Sequence, residues 1–154
     1  MLQRLSEIGV GTGDIDTVVI THGHGDHVAG ILAADGAFAF PNARYIFWRS
    51  EWTTGQPTSA SPRRLITRCD ASGTRSKAHP ERIEQIGGDQ PEAEIMPGMC
   101  AVAAPGHTIG HIALELSSGG EKLLHIADAA HSPFQINRPE WSPKFDYDKE
   151  RGRG

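Results

Sequence analysis

Three observations in the sequence predict an α/β fold. A short β-branched run, Asp16-Thr17-Val18-Val19-Ile20, is bounded by polar residues and reads as a buried strand. A tight polar turn then leads into Val28-Ala29-Gly30-Ile31-Leu32, which can open a helix. The later half of the chain sets short apolar runs around Pro-Gly and Gly-Gly turns, the pattern of β-hairpins. With 154 residues the chain can bury a substantial core, and residues 1–154 are read as one domain.

Taken in order, Leu2, Leu5 and Ile8 recur at helical spacing and Gly9 is a natural stop, which predicts a short amphipathic helix over residues 1–8. After the first strand, residues 37–40 and 44–48 read as two strands around the turn at 41–43. Ser50-Glu51-Trp52 opens a short helix. Residues 53–79 are rich in Thr, Ser, Pro, Gly and Arg and lack periodicity. A loop beside an active site and a solvated connection both fit them. Arg63, Arg64, Arg68 and Arg75 suit a solvated face better than an anion site. Residues 80–86 read as a helix, with Pro80 in its first turn and Gly87-Gly88 closing it. Two hairpins follow: residues 93–96 and 99–103 around Pro97-Gly98, then 112–116 and 122–127 around 117–120. Residues 132–154 carry Phe134, Trp141, Phe145 and Tyr147 and read as an extended tail. It either walls a pocket or packs against the sheet. Asp148 to Arg151 resembles the start of a helix.

Composition narrows the partners. No stretch approaches the roughly 20 apolar residues that span a bilayer, and residues 1–5 lack a signal peptide's apolar run. A cytoplasmic location without membrane association is expected. The net charge of −4 argues against a nucleic-acid partner. Cys69 and Cys100 form no C-x-x-C and no disulfide framework; two reduced thiols are the default reading and a single pair the alternative. Histidine is the informative residue. Of eight, seven fall in or beside three segments: His22, His24 and His27; His107 and His111; His125 and His131. His79 stands apart.

The densest segment is Thr21-His22-Gly23-His24-Gly25-Asp26-His27, directly after the first strand. Imidazole nitrogen and carboxylate oxygen are the usual ligands of a zinc-like ion. Alternation lets His22 and His24 point one way, and Gly23 and Gly25 allow a tight bend. Asp26 and His27 then face a second position. Two ligand pairs aimed differently suit two adjacent metals. A polar turn without ligands is the alternative, and the strand–turn–helix setting at a sheet's C-terminal edge weighs against it.

Residues 21–30, Thr-His-x-His-x-Asp-His-x-x-Gly, resemble the signature of the metallo-β-lactamase fold superfamily, which consists mostly of zinc-dependent hydrolases. Ala104-Pro105-Gly106-His107-Thr108-Ile109-Gly110-His111 is similar to that superfamily's Pro-Gly-His-Thr-x-Gly-His turn. The resemblance implies that His107 joins His22 and His24, and that Thr108 and His111 orient ligands by hydrogen bonds. It also implies that Asp128 bridges two metals, although Ala127 stands where the family commonly has glycine. His125 is not read as a ligand, and His131 is read as pocket wall. The implied fold is a partial αββα sandwich. The family's leading strands, and its C-terminal helix–strand unit with a last histidine ligand, are expected to be missing from this chain.

The implied cofactor is Zn2+, two per chain: one on His22, His24 and His107, the other on Asp26, His27 and Asp128. The implied activity is attack by a metal-bound hydroxide on a lactone, ester or phosphotriester, a small-molecule substrate. Asp26 would orient the hydroxide and pass its proton on. The Asp26-His27 pair, the bridging Asp128 and the run Phe40-Pro41-Asn42-Ala43-Arg44-Tyr45 are similar to the lactonase and organophosphate-hydrolase branch. Two rival readings are a truncated metal-binding remnant, whose open sheet edge would favour homo-oligomers, and a superfamily nuclease, disfavoured by the charge.

Overall fold

The structure is a computed structural model that describes residues 1–54 and 80–153. Its frame is two sheets. Strands β1 (Thr17–Ile20), β2 (Arg44–Trp48) and β3 (Ile83–Ile86) lie side by side in that order, all parallel. Strands β4 (Glu92–Met96), β5 (Met99–Ala103), β6 (Ile112–Ser118) and β7 (Glu121–His125) form an antiparallel meander in chain order.

Strand β2 explains the layering. Its pleat sends alternate side chains to opposite faces. Tyr45 and Phe47 join a core with Ile20, Val28, Ile31, Phe38 and Phe40. Ile46 and Trp48 join a second core with Ile95, Ala101 and Ile112 of the antiparallel sheet. A strand buried on both faces must be apolar without a break, as Tyr-Ile-Phe-Trp is. The first core is capped by Leu5 of helix α1 (Leu2–Glu7), Val28 of α2 (Gly25–Val28) and Trp52 of α3 (Arg49–Thr54). The parallel sheet thus carries short helices on one face and the second sheet on the other. Arg44 ties the layers: its Nη2 donates to Ile95 O at 3.1 Å and its Nη1 to Glu84 at 2.9 Å. This is the expected partial αββα sandwich.

Three elements differ from the sequence reading. Residues 80–86 are not a helix: a 3-10 turn at Pro80–Arg82 leads straight into β3. Ile83 and Ile86 mimic helical spacing, yet Ile83 packs in the first core and Ile86 in the second, because residues three apart on a strand face opposite ways. Residues 37–40 make one bridge, Leu32 to Phe38, and no strand. Phe40 N–H donates to the Tyr45 hydroxyl at 3.0 Å instead of to a ladder, so the buried phenylalanines serve the core as a loop. The helix after the histidine turn starts at Gly25 rather than Val28, and a 3-10 turn at Ala29–Ile31 ends it. Asp26 and His27 therefore ride on the first turn of α2.

Helix α1 forms where expected, although only Leu5 reaches the core. Both predicted hairpins form, and the second ends at His125. Within the tail, helix α4 (Pro133–Asn137) is capped by the Ser132 hydroxyl. Cys100 is a free, half-buried thiol. Cys69, His79 and the four loop arginines lie outside the described residues. No helix among the described residues is long and apolar enough to cross a membrane.

Candidate metal centre

The site forms where the two sheets bring their loops together. Strand β1 ends at Ile20, and Thr21 O accepts from Ile112 N–H at 3.0 Å, pinning the first histidine turn to the start of β6. The 104–111 turn closes on itself, with Ala104 N–H donating to His111 O and Gly106 N–H to Thr108 O. Loops from both sheets thus meet at one edge, as ligand sites do in α/β folds.

Three groups of possible ligand atoms result, each with its atoms within 4.8 Å of one another: His22, His24 and His107; His22, His27 and Asp128; His107, Asp128 and His131. Asp128 is shared by the second and third groups. Its Oδ2 lies 3.8 Å from His22 Nε2, 3.4 Å from His27 Nε2, 3.5 Å from His107 Nε2 and 3.4 Å from His131 Nε2. His22 and His107 are buried, whereas the side chains of His27, Asp128 and His131 are 30%, 25% and 32% exposed.

Hydrogen bonds fix the tautomers. Asp146 Oδ1 can only accept, so His107 Nδ1 at 2.8 Å carries the proton and its Nε2 keeps a lone pair. Asp128 N–H donates to His111 Nε2 at 3.1 Å, so His111 Nδ1 holds the proton and donates to Ala104 O at 3.1 Å. Thr21 Oγ1 lies 3.2 Å from His22 Nδ1. His22 Nε2 and His107 Nε2 are buried and make no hydrogen bond. Orphaned buried nitrogens are rare and costly. Two of them, converging with His24 and facing a carboxylate, suit a divalent cation.

Burial holds His22, His24 and His111 below the usual histidine range. It depresses His22 to about 2, helped by the nearby His27 and His111 rings. It depresses His111 to about 4, helped by His107. His24 is lowered by burial and then by His107. A neutral imidazole is the form that binds metal.

The structure therefore brings together His22, His24, His27, His107 and Asp128, five of the six residues read as ligands. Asp26 is apart from the ligand groups. Its carboxylate is 80% exposed and lies 3.8 Å from His27 Nε2. Consecutive positions on a helical turn point about 100° apart, so Asp26 faces the mouth of a cleft while His27 faces Asp128. That cleft, of about 400 Å3, is lined by His24, Asp26, His107, Asp128, His131 and Phe145. His131 thus borders the cleft and also approaches Asp128. Of the two residues expected to orient ligands, His111 accepts from Asp128 N–H, whereas the Thr108 hydroxyl donates to Glu51 rather than to a candidate ligand. His125 sits at the end of β7 and belongs to no ligand group among the described residues.

Two supporting carboxylates were not singled out by the sequence reading. Asp146 holds His107, and its neighbours fasten the tail to the same turn, with Tyr147 N–H donating to His107 O at 3.2 Å and Asp148 N–H to Gly106 O at 2.9 Å. Glu51, on α3, is buried and bonds to both histidine turns. Neither lies in a motif, and only tertiary contact links them to the site.

A family model described as the metallo-beta-lactamase superfamily matches residues 1–150. The chain belongs to that superfamily. Two curated superfamily relatives, probable metallo-hydrolases of Mycobacterium tuberculosis and Mycobacterium bovis, are 27% identical over 141 residues. The match covers 82% of this chain and 41% of each relative. Among solved structures, AidC, a dizinc quorum-quenching lactonase, superposes with a TM-score of 0.77 at 22% identity. The hydrolase AbOPH superposes at 0.73 and 27% identity. A probable metal-dependent hydrolase from Staphylococcus aureus gives 0.76 and 22%. Each covers 99% of this chain, which spans 52–54% of theirs. The chain is thus about half as long as the solved proteins it resembles.

Proposed function

We propose that the chain is a metal-dependent hydrolase domain holding two zinc ions and acting on a lactone, ester or phosphotriester. The observation that carries this reading is the pair of orphaned buried imidazole nitrogens, His22 Nε2 and His107 Nε2, beside His24 and Asp128. His22, His24 and His107 would hold one ion. His27 and Asp128 would hold the second, and Asp26 would be its remaining carboxylate. When bound, such ions acidify water and polarise a carbonyl or phosphoryl group.

The protein's own groups supply the rest. His111 donates no proton to Asp128 but accepts from its backbone N–H, which fixes where the carboxylate sits. Phe145 and His131 form an aromatic wall, with ring centroids 5.3 Å apart, against which an apolar substrate portion can rest. Asp26, at the solvent edge, is placed to exchange protons with bulk water. The lactonase and hydrolase neighbours support the substrate class.

The partly exposed outer group and the outlying Asp26 favour one second reading, a metal-binding domain without turnover. Metal analysis combined with hydrolysis assays on a γ-lactone, an aryl ester and a phosphotriester separates the two. Two zincs with turnover of any of the three supports the enzyme. One zinc without turnover supports the second reading, and no zinc uptake defeats both.

A further inference from the structure

Glu51 lies on the first turn of α3, away from both histidine motifs in sequence, and is 2% exposed. Burying a carboxylate is costly unless its oxygens are satisfied. Here three donors satisfy it. Gly23 N–H donates to Oε1 at 2.7 Å. Thr108 Oγ1–H and Gly110 N–H donate to Oε2 at 2.7 Å and 2.8 Å. No lysine or arginine among the described residues pairs with it. Gly23 is the residue between His22 and His24, and Thr108 is the residue after His107. One side chain therefore bonds one position away from each of the three imidazoles, two of them buried and His24 partly so.

A second observation shows how closely this contact is built. A Cβ on Gly110 would come within 2.3 Å of Glu51 N and 2.7 Å of Glu51 Cα. The turn bearing His107 packs directly on the backbone of α3, and only glycine permits it.

We propose that Glu51 is a positioning residue for the metal centre: its buried carboxylate clamps the His22–His24 turn to the His107 turn and presets the three-imidazole site. The inference rests on the metal-binding reading above. The chemistry requires the acid and not its amide. A carboxylate only accepts, and all three neighbours donate. A glutamine would keep the volume but turn its NH2 group toward the N–H of either Gly23 or Gly110, leaving that backbone N–H without an acceptor. Without the clamp, two turns from different sheets would have to be ordered by the metal itself, and binding would weaken by that cost. Outer groups that orient ligands typically contribute 10–100-fold to metal affinity.

The test compares wild type, E51Q, T108V and T108S as full chains. Zinc affinity is measured against a chromophoric chelator, cobalt(II) spectra report ligand geometry, and the metal-free proteins are checked by circular dichroism and urea unfolding. E51Q should keep a cooperative fold and bind its first zinc about 10–100-fold more weakly, with an altered cobalt d–d spectrum. T108V, which removes one of the three bonds, should weaken zinc binding less, and T108S should restore it. A residue that only held the fold together would lower the unfolding midpoint and leave folded-state zinc affinity and the cobalt spectrum unchanged. That result in E51Q overturns the inference; if E51Q does not fold, the same result in T108V overturns it. A wild-type chain that takes up no zinc overturns this inference together with the metal-binding reading. A wild type that binds zinc beside an E51Q of equal affinity overturns this inference alone.

Discussion

The inner and outer halves of the candidate site are built differently. The inner trio, His22, His24 and His107, stands on turns anchored from several sides. Thr21 bonds to Ile112, Asp146 holds the His107 ring, and Glu51 bridges the two turns. The outer group, His27, Asp128 and His131, sits on a four-residue helix, a 3-10 turn and the segment beyond it. It is a quarter to a third exposed, and its convergence depends on one carboxylate. Buried, cross-linked turns can hold ligands in place without an ion, whereas exposed ones rely more on the ion to organise them. On the proposed reading the inner half is prebuilt and the outer half is left to adapt.

The largest expected effect tests the inner half. His22→Ala or His107→Ala should remove the inner zinc and abolish hydrolysis, a larger loss than the 10–100-fold expected of a supporting group. Zinc analysis of the purified variants checks it, and unchanged content in either would break the assignment. Next, Asp128→Ala should weaken the outer metal by more than it weakens the inner one. Equal loss at both sites would mean that the halves are one coupled unit, and sequential zinc titration distinguishes these outcomes.

Acid sharpens the contrast at smaller scale. His22 and His111 are depressed to about 2 and about 4 in the fold, against about 6.5 in the unfolded chain. Below pH 6.5 the unfolded chain gains protons that the folded one refuses, so stability rises with pH between about 4 and 6.5 and falls on acidification. At pH 5 the loss is roughly 2 kcal/mol per imidazole in the metal-free chain. Urea midpoints at pH 7 and pH 5 measure it. A midpoint independent of pH would show that these rings are not held neutral.

The smallest effect concerns the outer half's backbone. Ala127 adopts φ 47°, the one non-glycine positive φ among the described residues, in the turn that presents Asp128. The left-handed region costs an alanine about 1–2 kcal/mol, and glycine's greater freedom when unfolded offsets part of that. Ala127→Gly should therefore raise stability by about 0.5–1 kcal/mol. A melting temperature that falls in the variant would show that Ala127 is not strained. The departure from Gly-Asp noted in the sequence is thus a local backbone cost beside the candidate bridging group.

Motif spacing made much of this legible. The histidine turn after a β-branched strand, the later Pro-Gly-His turn and Asp128 are chemistry written locally, and the structure draws them together. Residues 80–86 were misread because two isoleucines three apart suit a helix as well as a strand that faces two cores. Residues 37–40 were misread because alternating phenylalanines can serve a buried loop.

The sequence by itself determined the family, the α/β class and the donor atoms, since each depends on residue type at short spacing. Only the tertiary structure decided which donors share a centre, that Asp26 points outward, and that Glu51 and Asp146 steady the imidazoles. Glu51 lies 28, 57 and 59 residues from the groups it holds, and Asp146 lies 39 from His107. Their role exists only once two sheets have packed face to face, and no local pattern records that distance in space.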